Sequence, residues 1–146
     1  MEKLLISSCL LGLACRYDGR EGKKIDLEAL SDQYTIVPFC PEIYGGLPTP
    51  RVPSEIIDDK VMMKDGTDVT ENYRKGATEA LRLCRMLGIE KALLKEKSPS
   101  CGSGRVYDGS FSGTLIDGDG ITAALLKANG ITVYGESEIE KLLKKY

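Results

Sequence analysis

Residues 70–101 read TENYRKGATEALRLCRMLGIEKALLKEKSPSC. The first part carries one apolar stripe, Tyr73, Ala77, Ala80, Cys84 and Leu87, at steps of four, three, four and three. That spacing predicts an amphipathic helix over residues 71–87. Thr70 or Asp68 can cap its start, and Gly88 stands where a left-handed C-terminal cap belongs. KALL at 91–94 then forms a short apolar run suited to a buried strand, and the chain breaks into Lys, Ser and Pro before Cys101. A helix feeding a buried strand whose far end opens into a cysteine-bearing loop is half of a parallel α/β unit.

The same alternation extends in both directions. Residues 3–7 (KLLIS) predict a first strand, 27–31 a short helix and 35–39 (TIVPF) a second strand. PEIYGGLPTPRVPSE, at 41–55, is too rich in Pro and Gly for regular structure. Residues 56–70 suit a hairpin arm, with Asp65-Gly66 as its turn pair. Residues 106–116 are turn-rich and weakly stranded, 120–129 predict a helix, 132–134 a last parallel strand and 137–144 a final helix. The expected fold is α/β: one domain over residues 1–146, with a mostly parallel, Rossmann-like sheet covered by helices on both faces. In such sheets ligands bind outside the carboxyl ends of the strands, so the active site is expected there.

Composition narrows the function. A net charge of -2 gives no basic footprint for nucleic acid, so a nucleic-acid partner is not expected. No apolar run approaches a membrane span, and the N-terminal stretch lacks the cleavage site of a signal peptide. Five cysteines are an odd and sparse set, which points to a reducing, cytoplasmic setting rather than a disulfide scaffold. The count of zero histidines removes Ser-His-Asp and Cys-His catalysis and every His-containing metal site.

The cysteines then separate into classes. Cys9, Cys40 and Cys101 each lie just past one of the first three parallel strands, so three strand ends bring thiols to one edge of the sheet. Cys84 sits on the buried helical stripe and reads as core, and Cys15 as a small loop residue. A structural zinc site wants four ligands, usually with C-x₂-C pairs, and a thioredoxin-like site wants C-x-x-C; neither pattern is present. Iron–sulfur clusters are held by cysteine thiolates, and three ligands would leave one iron open. The loop at 98–104 can turn backbone N–H groups toward such a site. Glu42, two residues after Cys40, is the natural general acid or base where histidine is absent, and Ser98 can position a water or substrate. A metal-binding module without turnover, and a metal-free thiol transferase with Cys101 as nucleophile, remain open on these residues.

SSCLLG at 7–12, RYDG at 16–19, FCPEIYGGLPTPR at 39–51 and LLKEKSPSCG at 93–102 together resemble the DUF523 family, which includes thiouracil desulfurases. The resemblance implies an α/β domain with a [4Fe-4S] cluster on three cysteines, here Cys9, Cys40 and Cys101. It also implies a catalytic glutamate and serine, here Glu42 and Ser98. The activity then expected is non-redox desulfuration of a small thiolated pyrimidine such as 2-thiouracil. Glu42 would activate a water held by Ser98, with Lys95, Lys97 and Arg51 orienting the substrate.

Overall fold

In a computed structural model of the chain, residues 1–11 and 27–143 are described. Along it run β1 (Glu2–Ser7), α1 (Glu28–Gln33), β2 (Tyr34–Phe39), α2 (Pro41–Tyr44), β3 (Ser54–Ile57), β4 (Lys60–Met63) and α3 (Thr70–Leu87). There follow β5 (Lys91–Leu94), β6 (Arg105–Tyr107), β7 (Leu115–Asp117), α4 (Ile121–Ala128) and β8 (Thr132–Gly135). Short 3₁₀ helices occupy Ser8–Leu11 and Glu136–Lys141.

The central sheet has the order β2-β1-β5-β8 and is parallel throughout. Successive side chains on a strand point to opposite faces, and here both faces are apolar. Leu4, Ile6 and Leu93 pack on one face with Leu30, Tyr34 and Leu142. Leu5, Ala92 and Leu94 pack on the other with Ala80 and Cys84 of α3 and Ala123 and Leu126 of α4. The expected parallel α/β sheet with two covered faces is thus observed. The chain moves outward from β1 to β2, then crosses back to β5 and on to β8, so its direction of travel reverses between β1 and β5. That reversal opens a crevice at the carboxyl ends, where such folds bind ligands.

The long helix ends at Gly88 as its sequence predicts, but it starts at Thr70 behind Val69, which supplies no side-chain cap, and Asp68 bonds only the first helical amide. The Asp68 carboxylate accepts the Thr70 amide at 2.9 Å, and Gly88 takes a left-handed conformation at φ 68°. The hairpin differs. β3 and β4 pair antiparallel and turn at Asp58 and Asp59, whereas Asp65-Gly66 turns the chain again after β4. Asp58 sustains the turn with a φ of 55°, a conformation that Asp tolerates better than most residues. The weakly stranded 106–116 segment resolves into the β6–β7 hairpin. The final helix, expected over 137–144, is 3₁₀ over Glu136–Lys141.

One close approach sets up the site. α2 lies against α3 with no room for a side chain between them. A Cβ on Gly76 would stand 1.9 Å from the Pro41 carbonyl oxygen, and one on Gly45 would stand 2.1 Å from that of Asn72. The Asn72 side-chain amide also donates to the Gly45 carbonyl at 2.9 Å. These contacts press Pro41 and Glu42 onto the N-terminal half of α3. Gly76→Ala is therefore expected to lower stability by about 1–3 kcal/mol, the usual cost of overpacking. Urea unfolding checks this as a lower midpoint at unchanged slope.

Candidate active site

All three strand-end cysteines line one open cavity of about 480 Å³ at the carboxyl edge of the sheet. Cys9 lies half-buried in the 3₁₀ turn after β1, and Cys40 half-buried between β2 and α2. Cys101 lies in the loop after β5 and is 5% exposed. Glu42, Ser98 and Tyr73 line the same cavity. The site residues expected from the sequence are therefore neighbours. Cys84 sits in the core, and Cys15 and the RYDG segment lie outside the described residues.

The Cys101 loop is fastened to the start of α4. Ile121 and Thr122 donate their amides to the carbonyls of Pro99 and Ser100, and the Ser100 hydroxyl pairs with that of Thr122 at 2.8 Å. A Cβ on Gly120 would stand 2.5 Å from the Ser100 carbonyl, so the loop and the helix meet backbone to backbone. Ser98 closes the turn from within, its Oγ accepting the amides of Ser100 at 3.1 Å and Cys101 at 3.0 Å. A hydroxyl has two lone pairs and one proton. With both lone pairs engaged, the Ser98 hydroxyl has only its proton left to offer.

Burial pushes the Cys101 thiol up to about 12; the Ser7 hydroxyl opposes this, and the charges of Glu42 and Cys40 add to it. A thiolate at this position therefore needs a cation against it. The Ser7 oxygen in turn accepts the Lys95 amide at 2.9 Å, which leaves its proton for the sulfur.

Glu42 is held from two sides. The Tyr73 phenol donates to Oε1 at 2.5 Å, and the Arg51 guanidinium is bonded to Oε2. The Arg51 side chain is 1% exposed. It also donates to the Pro48 carbonyl at 3.1 Å and to Thr49 Oγ1 at 3.0 Å. Burial disfavours the guanidinium charge, but the charge and hydrogen bond of Glu42 more than offset this and hold its pKa above the usual value. Burial, and after it the Glu42 charge, raise the Tyr73 phenol above the ordinary tyrosine range, so it stays a neutral donor.

Of the three cations expected to orient a substrate, Arg51 serves Glu42 instead and is not among the cavity-lining residues. Lys95 lines the cavity but pairs with Glu136 at 2.6 Å. Lys97 lines the cavity from an exposed position, with a φ of 68°. Two contributors escape a reading of the sequence. Tyr73 looks like one more member of the helical stripe, although a buried phenol requires a polar partner. Glu55 on β3 accepts the amides of Gly109 at 3.0 Å and Phe111 at 3.2 Å, tying the β3–β4 hairpin to the loop beyond β6 beside the cavity.

Cys84 supplies a contrast. Burial pushes its thiol up to about 11 from an ordinary 9.0, so the folded chain holds this proton more tightly than the unfolded one. Its stabilising contribution is complete below pH 9 and is lost as pH rises toward about 11. Alkaline urea titrations of the metal-free protein should show this loss, and Cys84→Ala should reduce its slope.

A parallel sheet that delivers three thiols, a clamped carboxylate and a donor hydroxyl to its switch point defines a candidate thiol- or metal-based enzyme. The chain belongs to the 2-thiouracil desulfurase family, whose model matches residues 4–138. It is 43% identical over 150 residues to the uncharacterized protein YbbK of Bacillus subtilis (strain 168), covering 96% of this chain and 99% of that one. It is also similar to the solved structure of the [4Fe-4S]-dependent thiouracil desulfidase TudS. That similarity has a TM-score of 0.93 and 47% identity, over 97% of this chain and 95% of the other. The DUF523 resemblance of the motifs is borne out. Among the described residues, no helix is long and apolar enough to cross a membrane.

Proposed function

We propose that this protein hydrolytically removes sulfur from a small thiolated pyrimidine of the 2-thiouracil kind, using a [4Fe-4S] cluster held by Cys9, Cys40 and Cys101. One observation carries this reading: three thiols, Glu42 and Ser98 line a single cavity in a chain 47% identical to a [4Fe-4S]-dependent thiouracil desulfidase. The donors suit such a cluster. Three sulfurs make a soft ligand set, and the Cys101 thiol, pushed up to about 12, ionises at neutral pH only against a cation. Among the described residues no three His, Cys, Asp or Glu side chains gather as they would around one metal ion. When bound, the cluster supplies an iron without a protein ligand, a soft Lewis acid for sulfur.

The chain's own residues handle the water and its protons. Each Glu42 oxygen accepts one donor and so keeps a second lone pair. With such a lone pair Glu42 takes a proton from water as the water oxygen bonds to the thiocarbonyl carbon. Ser98, which lines the cavity and has its proton left to offer, donates it to the incoming oxygen. As the carbon–sulfur bond breaks, the protons from water accompany the sulfur, and the products are the oxo-pyrimidine and hydrogen sulfide. Water supplies every atom gained, so no oxidant or reductant is consumed.

Anaerobically reconstituted protein should release one sulfide and one uracil from each 2-thiouracil, without added reductant. Full cluster loading with no sulfide would favour a binding module without turnover. Turnover without iron would favour a thiol transferase.

A further inference from the structure

Tyr73 and Arg51 lie on different elements from Glu42, yet each takes one of its two carboxylate oxygens. Tyr73 comes from the N-terminal end of α3, one helical turn before Gly76, where α2 and α3 touch backbone to backbone. Arg51 comes from the irregular segment between α2 and β3. A carboxylate bonded at one oxygen can still rotate about its last side-chain torsion. Bonded at both, it has its plane fixed and its remaining lone pairs aimed.

The two holders differ in character. The guanidinium is buried, lies away from the cavity lining and also ties down Pro48 and Thr49, so it holds the local chain as well as the carboxylate. The Tyr73 ring is 2% exposed and packs with Leu47, Val61 and Val69, while its hydroxyl reaches Glu42. Tyr73 and Glu42 both line the cavity, so their hydrogen bond lies along its wall.

We propose that Tyr73 is a positioning residue, whose hydroxyl fixes the Glu42 carboxylate plane against Arg51 and so aims the base at the attacking water. The proposal rests on the desulfuration reading above for its catalytic consequence, but the geometric claim about Glu42 stands without it.

Tyr73→Phe keeps the ring in its core contacts and removes only the hydroxyl. With cluster loading matched to wild type, kcat on 2-thiouracil should fall about 10–100-fold, as for a catalytic group displaced by a fraction of an ångström to an ångström. KM should stay within about twofold. The second readout needs no cluster: crystal structures of metal-free wild type and Tyr73→Phe should show Glu42 in one rotamer and in more than one, respectively. Wild-type kcat in Tyr73→Phe, or an unmoved Glu42, overturns the proposal. So does a loss of kcat that comes with lost iron and raised KM, since that marks a merely structural role. If the loaded wild type fails to release sulfide, the desulfuration reading fails, and the rotamer comparison still decides the role of Tyr73.

Discussion

Cys101→Ser is expected to reduce iron from about four atoms per chain to below one after anaerobic reconstitution, and to abolish sulfide release. Serine is close in size to cysteine, so the loop should keep its form. The amide of residue 101 still donates to Ser98 Oγ, and Gly120 still meets Ser100 backbone to backbone. What changes is the ligand. A hydroxyl is a harder and far weaker acid than a thiol, and this position already opposes ionisation, pushing even the thiol up to about 12. Cys9→Ser and Cys40→Ser should lose iron in the same way. Cys84→Ser, altering the fourth described cysteine, should keep it. Iron and acid-labile sulfide per chain decide the matter. Retention of a full cluster in any of the three site variants would sever that cysteine from the ligand set.

What the sequence reveals follows from how far apart the deciding contacts lie. β1, β5 and α3 are legible because their signals are local: an apolar run, a stripe and a Gly88 that terminates the helix. The three cavity cysteines are legible for a related reason, since Cys9 and Cys40 follow their strands closely, Cys101 lies in the loop after β5, and a parallel sheet brings its strand ends together. The β6–β7 hairpin is weakly written because its strands have three residues each, and Glu55 holds the loop between them from more than fifty positions upstream. Its turn appears only as a cluster of Gly and Ser.

The partners of Glu42 are hidden differently. Arg51 follows it by nine residues through a Pro- and Gly-rich stretch without period, so spacing says nothing about where its side chain goes. Tyr73 is masked by its own helix: the stripe that predicts α3 also accounts for a buried aromatic at that position. Only the polar end of the ring, which must find a partner inside the protein, separates a core tyrosine from a site tyrosine. Reading Glu42 only as a general acid or base leaves out a further condition, a carboxylate clamped at both oxygens.

That clamp gives Glu42→Gln two consequences, separable by measurement. The first is catalytic: a neutral amide takes no proton from water, so turnover should fall about 10²–10⁴-fold, the range for loss of a general base. Cluster absorbance should stay as in wild type. The second is structural. A carboxylate offers acceptors to both Tyr73 and Arg51, whereas an amide has one acceptor end and one donor end. If the amide nitrogen faces Arg51, two donors oppose each other beside a guanidinium whose side chain is 1% exposed. If it faces Tyr73, the phenol must turn its proton elsewhere, and the neutral oxygen left for Arg51 no longer balances its charge. Breaking a buried ion pair typically costs roughly 3–5 kcal/mol. The loss here should fall below that range, because the Glu42 side chain keeps 19% exposure. Urea unfolding of the metal-free variant reads the structural loss, and sulfide release from loaded protein reads the catalytic one. Glu42→Asp discriminates further: it keeps the negative charge for Arg51 but, one methylene shorter, cannot reach both donors, so it should recover stability more than turnover. Full activity in Glu42→Gln would remove this residue from the chemistry and leave it as the counter-ion of Arg51 alone.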